Sequence, residues 1–117
     1  MIRSMPSRFV PLSPATVRRY APIARARGVS ERARSASGFT TAYLRAGSMR
    51  RIGTDRQGTP WRARRDAFLR RHVAQMIARR ERFYDKNGNP TRRHLALIMW
   101  AWSPDPSGLR RETAIRS

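Results

Sequence analysis

Cysteine is absent from the 117-residue chain, which excludes disulfides and thiolate metal sites and is compatible with a reducing compartment. Acids are scarce, seven Asp and Glu against 26 Lys and Arg, for a formal charge of +19. Lysine is nearly missing as well, Lys86 being the only one, so the cations are arginines. Val, Ile, Leu and Phe number 20, about 17% of the chain, and with so high a charge this leaves independent folding in doubt. No apolar run approaches the roughly 18 residues that span a membrane. The longest, 95–102, has eight. The scattered acids form no paired-carboxylate signal of the kind that acid–base catalysis requires.

What is present is guanidinium, in a chain too short for two comfortable domains. Guanidinium pairs with phosphate in a bidentate fork and stacks on base faces, which points to a nucleic-acid partner, RNA favoured over DNA. A GC-rich genome also explains Arg in place of Lys, together with 15 Ala and 8 Pro, but not the excess of positive charge.

Order concentrates between Trp61 and Trp102, where all three tryptophans lie. Trp61, Phe68, Leu69, Val73, Met76, Ile77, Phe83 and Tyr84 share one broad face at about 100° per residue. The pattern predicts a helix over 60–84, capped by Thr59, opened by Pro60 and stopped by Asn87 and Gly88. A turn follows over 85–89, then a second helix over 90–102, capped by Asn89 with Pro90 in its first position and packed on the Trp61 face. A buried strand over 95–102 is the alternative. The turn is not a calcium loop, because Gly88 stands fourth counting from Asp85 and the acids at alternate positions are missing.

Residues 1–58 read as a basic arm with short helices. Residues 1–12 are extended; Ser13 and Pro14 start a helix with Val17, Tyr20 and Ile23 as its stripe, Pro22 breaks or kinks it, and Gly28 ends it. Ser30 and Glu31 begin another, and Phe39, Tyr43 and Leu44 continue a face that closes at Gly47. A loop follows to Gly58, and 103–117 form a basic tail. No internal repeat is evident. The fold expected is mostly α: a small core of one long and one short buried helix, with extended basic N- and C-terminal arms.

Along the long helix Arg64, Arg71 and Arg82 align on one margin and Arg62 and Arg80 on another, beside a ridge of Ala63, Ala67, Ala74 and Ala78. With Arg70, Arg79, Arg92, Arg93, Arg18, Arg19, Arg50 and Arg51 these are the candidate phosphate contacts. Asp66 and Glu81 are expected in local ion pairs with Arg70 and Arg80. Trp61, Trp100 and Trp102 are expected in the core, although Trp61 could stack on a base. His72, Asn87 and His94 follow the order of an HNH nuclease, but Arg71 stands where a metal ligand would precede the base, and His72 falls on the apolar face. No catalytic residue, metal site or cofactor is assigned.

The RR-x-x-F-x-x-R-H segment, Arg64, Arg65, Phe68, Arg71 and His72, followed by Thr91 and Trp100 and preceded by Tyr43 and Gly47, resembles a pattern in small basic proteins encoded by phages and large viruses. The resemblance covers about half of the chain and implies a virion setting, without an activity. The function expected is that of a non-enzymatic, structural nucleic-acid-binding component of a ribosomal, mitoribosomal, nucleoid or virion assembly, in contact with neighbouring proteins. It would be intracellular, in the cytoplasm or mitochondrial matrix or in a virion, and not secreted. The first thirty residues resemble a transit peptide in composition, interrupted by Pro6, Pro11, Pro14 and Pro22. The alternatives are an accessory subunit of an organellar complex docked on an acidic partner and, more remotely, the nuclease.

Overall fold

The computed structural model describes residues 9–109, and the outermost parts of both arms lie outside them. Among the described residues five helices are assigned: α1 Pro14–Ala26, α2 Glu31–Arg34, α3 Phe39–Ala46, α4 Trp61–Arg79 and α5 Arg92–Ile98. Among the described residues the only β pairing is two isolated bridges, Thr54 with Pro60 and Tyr84 with Pro90.

Helix α1 starts where the sequence places it: Ser13 Oγ accepts from the Thr16 N–H at 3.2 Å, and Pro14 takes the first turn. It buries Thr16, Val17, Tyr20 and Ala24. Contrary to expectation it runs through Pro22, which lies on the exposed side. There the carbonyl that loses its N–H partner can turn to water. Gly28, at φ 66°, ends the helix in a left-handed cap, with the Val29 N–H on Ala24 O at 2.8 Å.

Helix α4 buries Trp61, Arg65, Leu69, Val73 and Met76, a stripe spaced four, four, four and three residues apart. It ends at Arg79, five residues short of the predicted Tyr84. Arg80 adopts φ 55° and closes the same kind of cap, its N–H on Ile77 O and the Glu81 N–H on Met76 O at 2.9 Å. With arginine in the left-handed position there was no glycine to read. Pro60, not Thr59, stands at the N-cap, without a side-chain hydrogen bond. Ile77, expected on the apolar face, is 68% exposed, because the stripe turns away from it in the last turn.

Helix α5 is shorter than predicted, 92–98 in place of 90–102. Thr91 is its cap, accepting from the His94 N–H at 3.3 Å. Ala101, at φ 64°, closes it with the Trp102 N–H on Leu97 O. The apolar run 95–102 is therefore a helix and its left-handed cap.

The core is wider than two helices. Phe9, Leu12, Val17, Tyr20, Phe39 and Tyr43 join Trp61, Leu69, Met76 and the α5 side chains in one cluster. The arm expected over 1–58 is thus, from Phe9 on, part of the globule: Leu12 donates its N–H to Ala101 O at 2.7 Å, and the Tyr43 hydroxyl donates to Leu12 O. The tail is drawn in as far as Leu109, fully buried after a helical turn over 106–109 that Asp105 caps, its Oδ1 accepting the Gly108 N–H at 2.9 Å.

A repeat does exist, thirty residues apart. D-x-x-G-x-P occurs at 55–60 and again at 85–90, each time ahead of a helix. Asp55 Oδ1 accepts the Gln57 and Thr59 N–H groups, both at 2.9 Å, and Asp85 Oδ1 accepts those of Asn87 and Asn89 at 2.8 and 3.0 Å. In both turns the first N–H bonds the carbonyl four residues on, and a glycine at φ 86° or 82° makes the reversal.

Candidate nucleic-acid interface

Of the twenty described arginines, all but Arg34, Arg65 and Arg93 are exposed. Several of the acids, in contrast, are engaged by the fold itself, although Glu31 and Asp85 are exposed. Asp55 and Asp85 hold turns, Asp105 caps a helical turn, and Glu81 receives Arg93 at 3.2 Å and Arg79 at 3.8 Å. The Glu81 partners are not the Arg80 expected from the sequence. The Asp55 side chain is only 5% exposed and meets Arg64 at 2.9 Å. Its pKa is lowered although desolvation acts the other way, because the Thr59 N–H, Arg64 and the Gln57 N–H favour the carboxylate.

The candidate phosphate contacts separate into groups. Arg62, Arg64, Arg70, Arg71 and Arg79 are exposed along α4, and Arg80 is exposed at its cap. Arg82 is exposed but follows the helix, so it does not continue the Arg64 and Arg71 margin. Ala63, Ala74 and Ala78 are exposed and Ala67 half-buried, so no helix among the described residues covers the alanine ridge. Arg18, Arg19, Arg50 and Arg51 are exposed elsewhere on the surface. Arg92 donates to Arg27 O while Arg27 donates to Pro90 O at 3.2 Å, which joins two cations at the end of α1.

Arg93 is engaged within the fold. It is a half-buried hub that donates to His72 Nδ1, to Gln75 Oε1 and to Glu81 Oε2 at 3.0, 3.0 and 3.2 Å. As the guanidinium must donate, His72 is the Nε2–H tautomer. Its pKa is lowered by burial first and then by Arg93 and Arg71, and its ring stacks on Phe68 at 4.1 Å.

Arg65 is the residue that the sequence did not distinguish. Only 3% exposed, it donates Nε to Trp100 O at 2.8 Å and Nη2 to Ala101 O at 2.9 Å, clamping the carbonyls at the end of α5. Burial lowers its pKa to about 10. Its place in the stripe Trp61, Arg65, Leu69, Val73 was the available signal, hidden among five other arginines on the same helix.

His94 is fully buried, with Nδ1 at 2.8 Å from Phe83 O and Nε2 at 2.8 Å from Ser103 Oγ. Both nitrogens are thus engaged in the core, and Asn87 lies in the Asp85 turn. The HNH order is not assembled into a metal centre, and the described residues contain no group of three or more metal-ligating side chains. No helix among them is long and apolar enough to cross a membrane.

Between the α2–α3 corner, the Asp55 turn and the first half of α4 lies a cleft of about 550 Å³. Phe39, Trp61, Phe68 and Trp100 form its aromatic wall, and Arg32, Arg56 and Arg64 stand on its rim. Phe39 and Phe68 both stack with Trp100, centroids 4.7 and 4.5 Å apart. Trp61 stands across Phe39 and Trp100 at 72° and 63° and carries the Arg64 guanidinium 5.0 Å from its ring centre. Arg32 and Arg56 were not among the sequence candidates, because they come from α2 and from the Asp55 turn, which only the fold brings beside Arg64. Compared with family models, curated proteins and solved structures, the chain matches none.

Proposed function

We propose that the protein is a non-enzymatic, structural nucleic-acid-binding component of a larger nucleoprotein or ribonucleoprotein assembly, held mainly through arginine contacts to the phosphate backbone. One observation carries the reading: the fold engages most of its few acids as caps, turns and ion pairs of its own and leaves its arginines outward. The positive charge is therefore displayed and not neutralised by the protein's own carboxylates. A surface of this kind attracts a polyanion from any approach and gains affinity by releasing its counterions. RNA is preferred over DNA as the partner, in a cytoplasmic or mitochondrial ribonucleoprotein or a virion, with neighbouring proteins completing the assembly.

Affinity for duplex RNA and DNA, titrated over a range of salt concentrations, tests the proposal. If six to eight arginines neutralise phosphates, log K falls against log salt with a slope of about −5 to −7. A flat response would refute backbone binding. Digestion of the native complex with nuclease gives the second readout: release of the protein is expected, whereas retention would show that an acidic protein surface holds it.

A further inference from the structure

We propose that the cleft between the α2–α3 corner and the start of α4 receives one unstacked nucleotide of a single-stranded nucleic acid, its base sliding between Trp61 and Arg64 and its flanking phosphates meeting Arg32 and Arg56. The proposal rests on the nucleic-acid reading above and adds a place where a base, not only a backbone, is held. At about 550 Å³ the cleft is of the size that takes small planar ligands, apolar in its wall with a few convergent polar groups at its mouth.

The arrangement of rings selects the position. Phe39, Trp100 and Phe68 stack on one another, and His72 stacks on Phe68, so in this run ring packs on ring. Trp61 is different, since the group over its ring is the planar cation of Arg64. Indole is a good platform for a base, and guanidinium stacks on bases as well as pairing with phosphate. A base entering between the two keeps an aromatic partner on one face and gains the guanidinium on the other.

Arg64 is the movable partner. Its side chain is 45% exposed, whereas the Asp55 carboxylate it pairs with is 5% exposed. When Arg64 moves, Asp55 Oδ1 keeps the Gln57 and Thr59 N–H groups, while Oδ2 gives up Arg64 Nη1. One carboxylate oxygen of the acid in the lining is thus held in its own turn, while Arg32 and Arg56, both exposed, present their charge to the mouth. Gln57, exposed beside Arg56, offers an amide that can donate to and accept from a base edge. A base paired in a duplex cannot reach a concave site, so the ligand is a strand whose bases can be splayed out.

The test uses the full-length protein and three ligands of equal length: a single-stranded uridine oligonucleotide, the same strand carrying abasic ribose throughout, and a duplex. The base-bearing strand is expected to bind about tenfold more tightly than the abasic one, with quenching of tryptophan emission that the abasic strand and the duplex do not produce. Equal affinity of the base-bearing and abasic strands overturns the pocket and leaves backbone binding standing. Failure of all three ligands to bind overturns both. Ser37→Phe, a substitution of an exposed residue in the lining, should lower affinity for the base-bearing strand to that for the abasic one. A folded Ser37→Phe protein that keeps the full preference for bases would also overturn the pocket. The wild-type comparison decides the question whether or not that variant folds.

Discussion

Acidification should destabilise this protein well above the range in which its carboxylates titrate, and His94 is the reason. Phe83 O can only accept, so Nδ1 of His94 carries the proton and Nε2 accepts from the Ser103 hydroxyl. Ser103 Oγ also receives the Asp105 N–H at 3.2 Å. Protonating Nε2 makes it a second donor toward Oγ, leaves the hydroxyl hydrogen without its acceptor, and places a charge in a fully buried site edged by Phe83 and Tyr84. Burial outweighs the Phe83 hydrogen bond and the attraction of Asp105, and the pKa falls from 6.5 to about 4. The unfolded chain then binds the proton more readily than the folded one. Stability is complete above the unfolded value and declines as pH drops from about 6.5 to about 4, by about 3 kcal/mol in all. His72, whose pKa is also lowered, adds a loss of the same sign. Urea unfolding at pH 7 and pH 4.5 of the wild type and of His94→Gln, which keeps a donor and an acceptor but cannot titrate, separates the two. The variant should begin less stable and lose less on acidification. Equal losses in both proteins would refute the assignment of the pH dependence to His94.

Arg65→Met removes two charge-assisted hydrogen bonds and leaves Trp100 O buried without that donor; even with the desolvation of the guanidinium relieved, a loss of about 2 to 4 kcal/mol is expected by urea unfolding. Arg65→Lys should recover little of it, because an ammonium cannot fork to both carbonyls. Arg80→Gly relieves a left-handed arginine and should stabilise by about 1 kcal/mol, seen as a raised Tm. If Arg80 also meets a phosphate, the same variant makes the salt slope shallower by about 1. Asp85→Ala takes the acceptor from two turn N–H groups and should cost about 1 kcal/mol in the same unfolding assay.

The helical class was legible because apolar side chains recur at helical spacing in α4, and the start of α1 and the end of α3 were legible because Ser13, Pro14 and Gly47 are local signals that act within a turn. The end of α4 was not. Its cap is held by hydrogen bonds of Arg80 and Glu81 to the last turn, and arginine in that conformation carries no mark in a sequence. The 55–60 and 85–90 repeat was written plainly, but all three of its variable positions differ in residue, and only the shared Asp, Gly and Pro carry the geometry.

By itself, then, the chain determined that it would be helical, strongly basic, free of disulfides and centred on the tryptophan-rich segment, because charge, cysteine content and apolar periodicity are properties of single residues and near neighbours. Which of its arginines face solvent and which one lies in the core was decided only by tertiary structure. Arg64 and Arg65 are adjacent and chemically identical. One lies over Trp61 at the surface and the other is locked to the carbonyls of Trp100 and Ala101. The partners that distinguish them lie thirty-five residues away, brought into reach by the packing of α5 against α4.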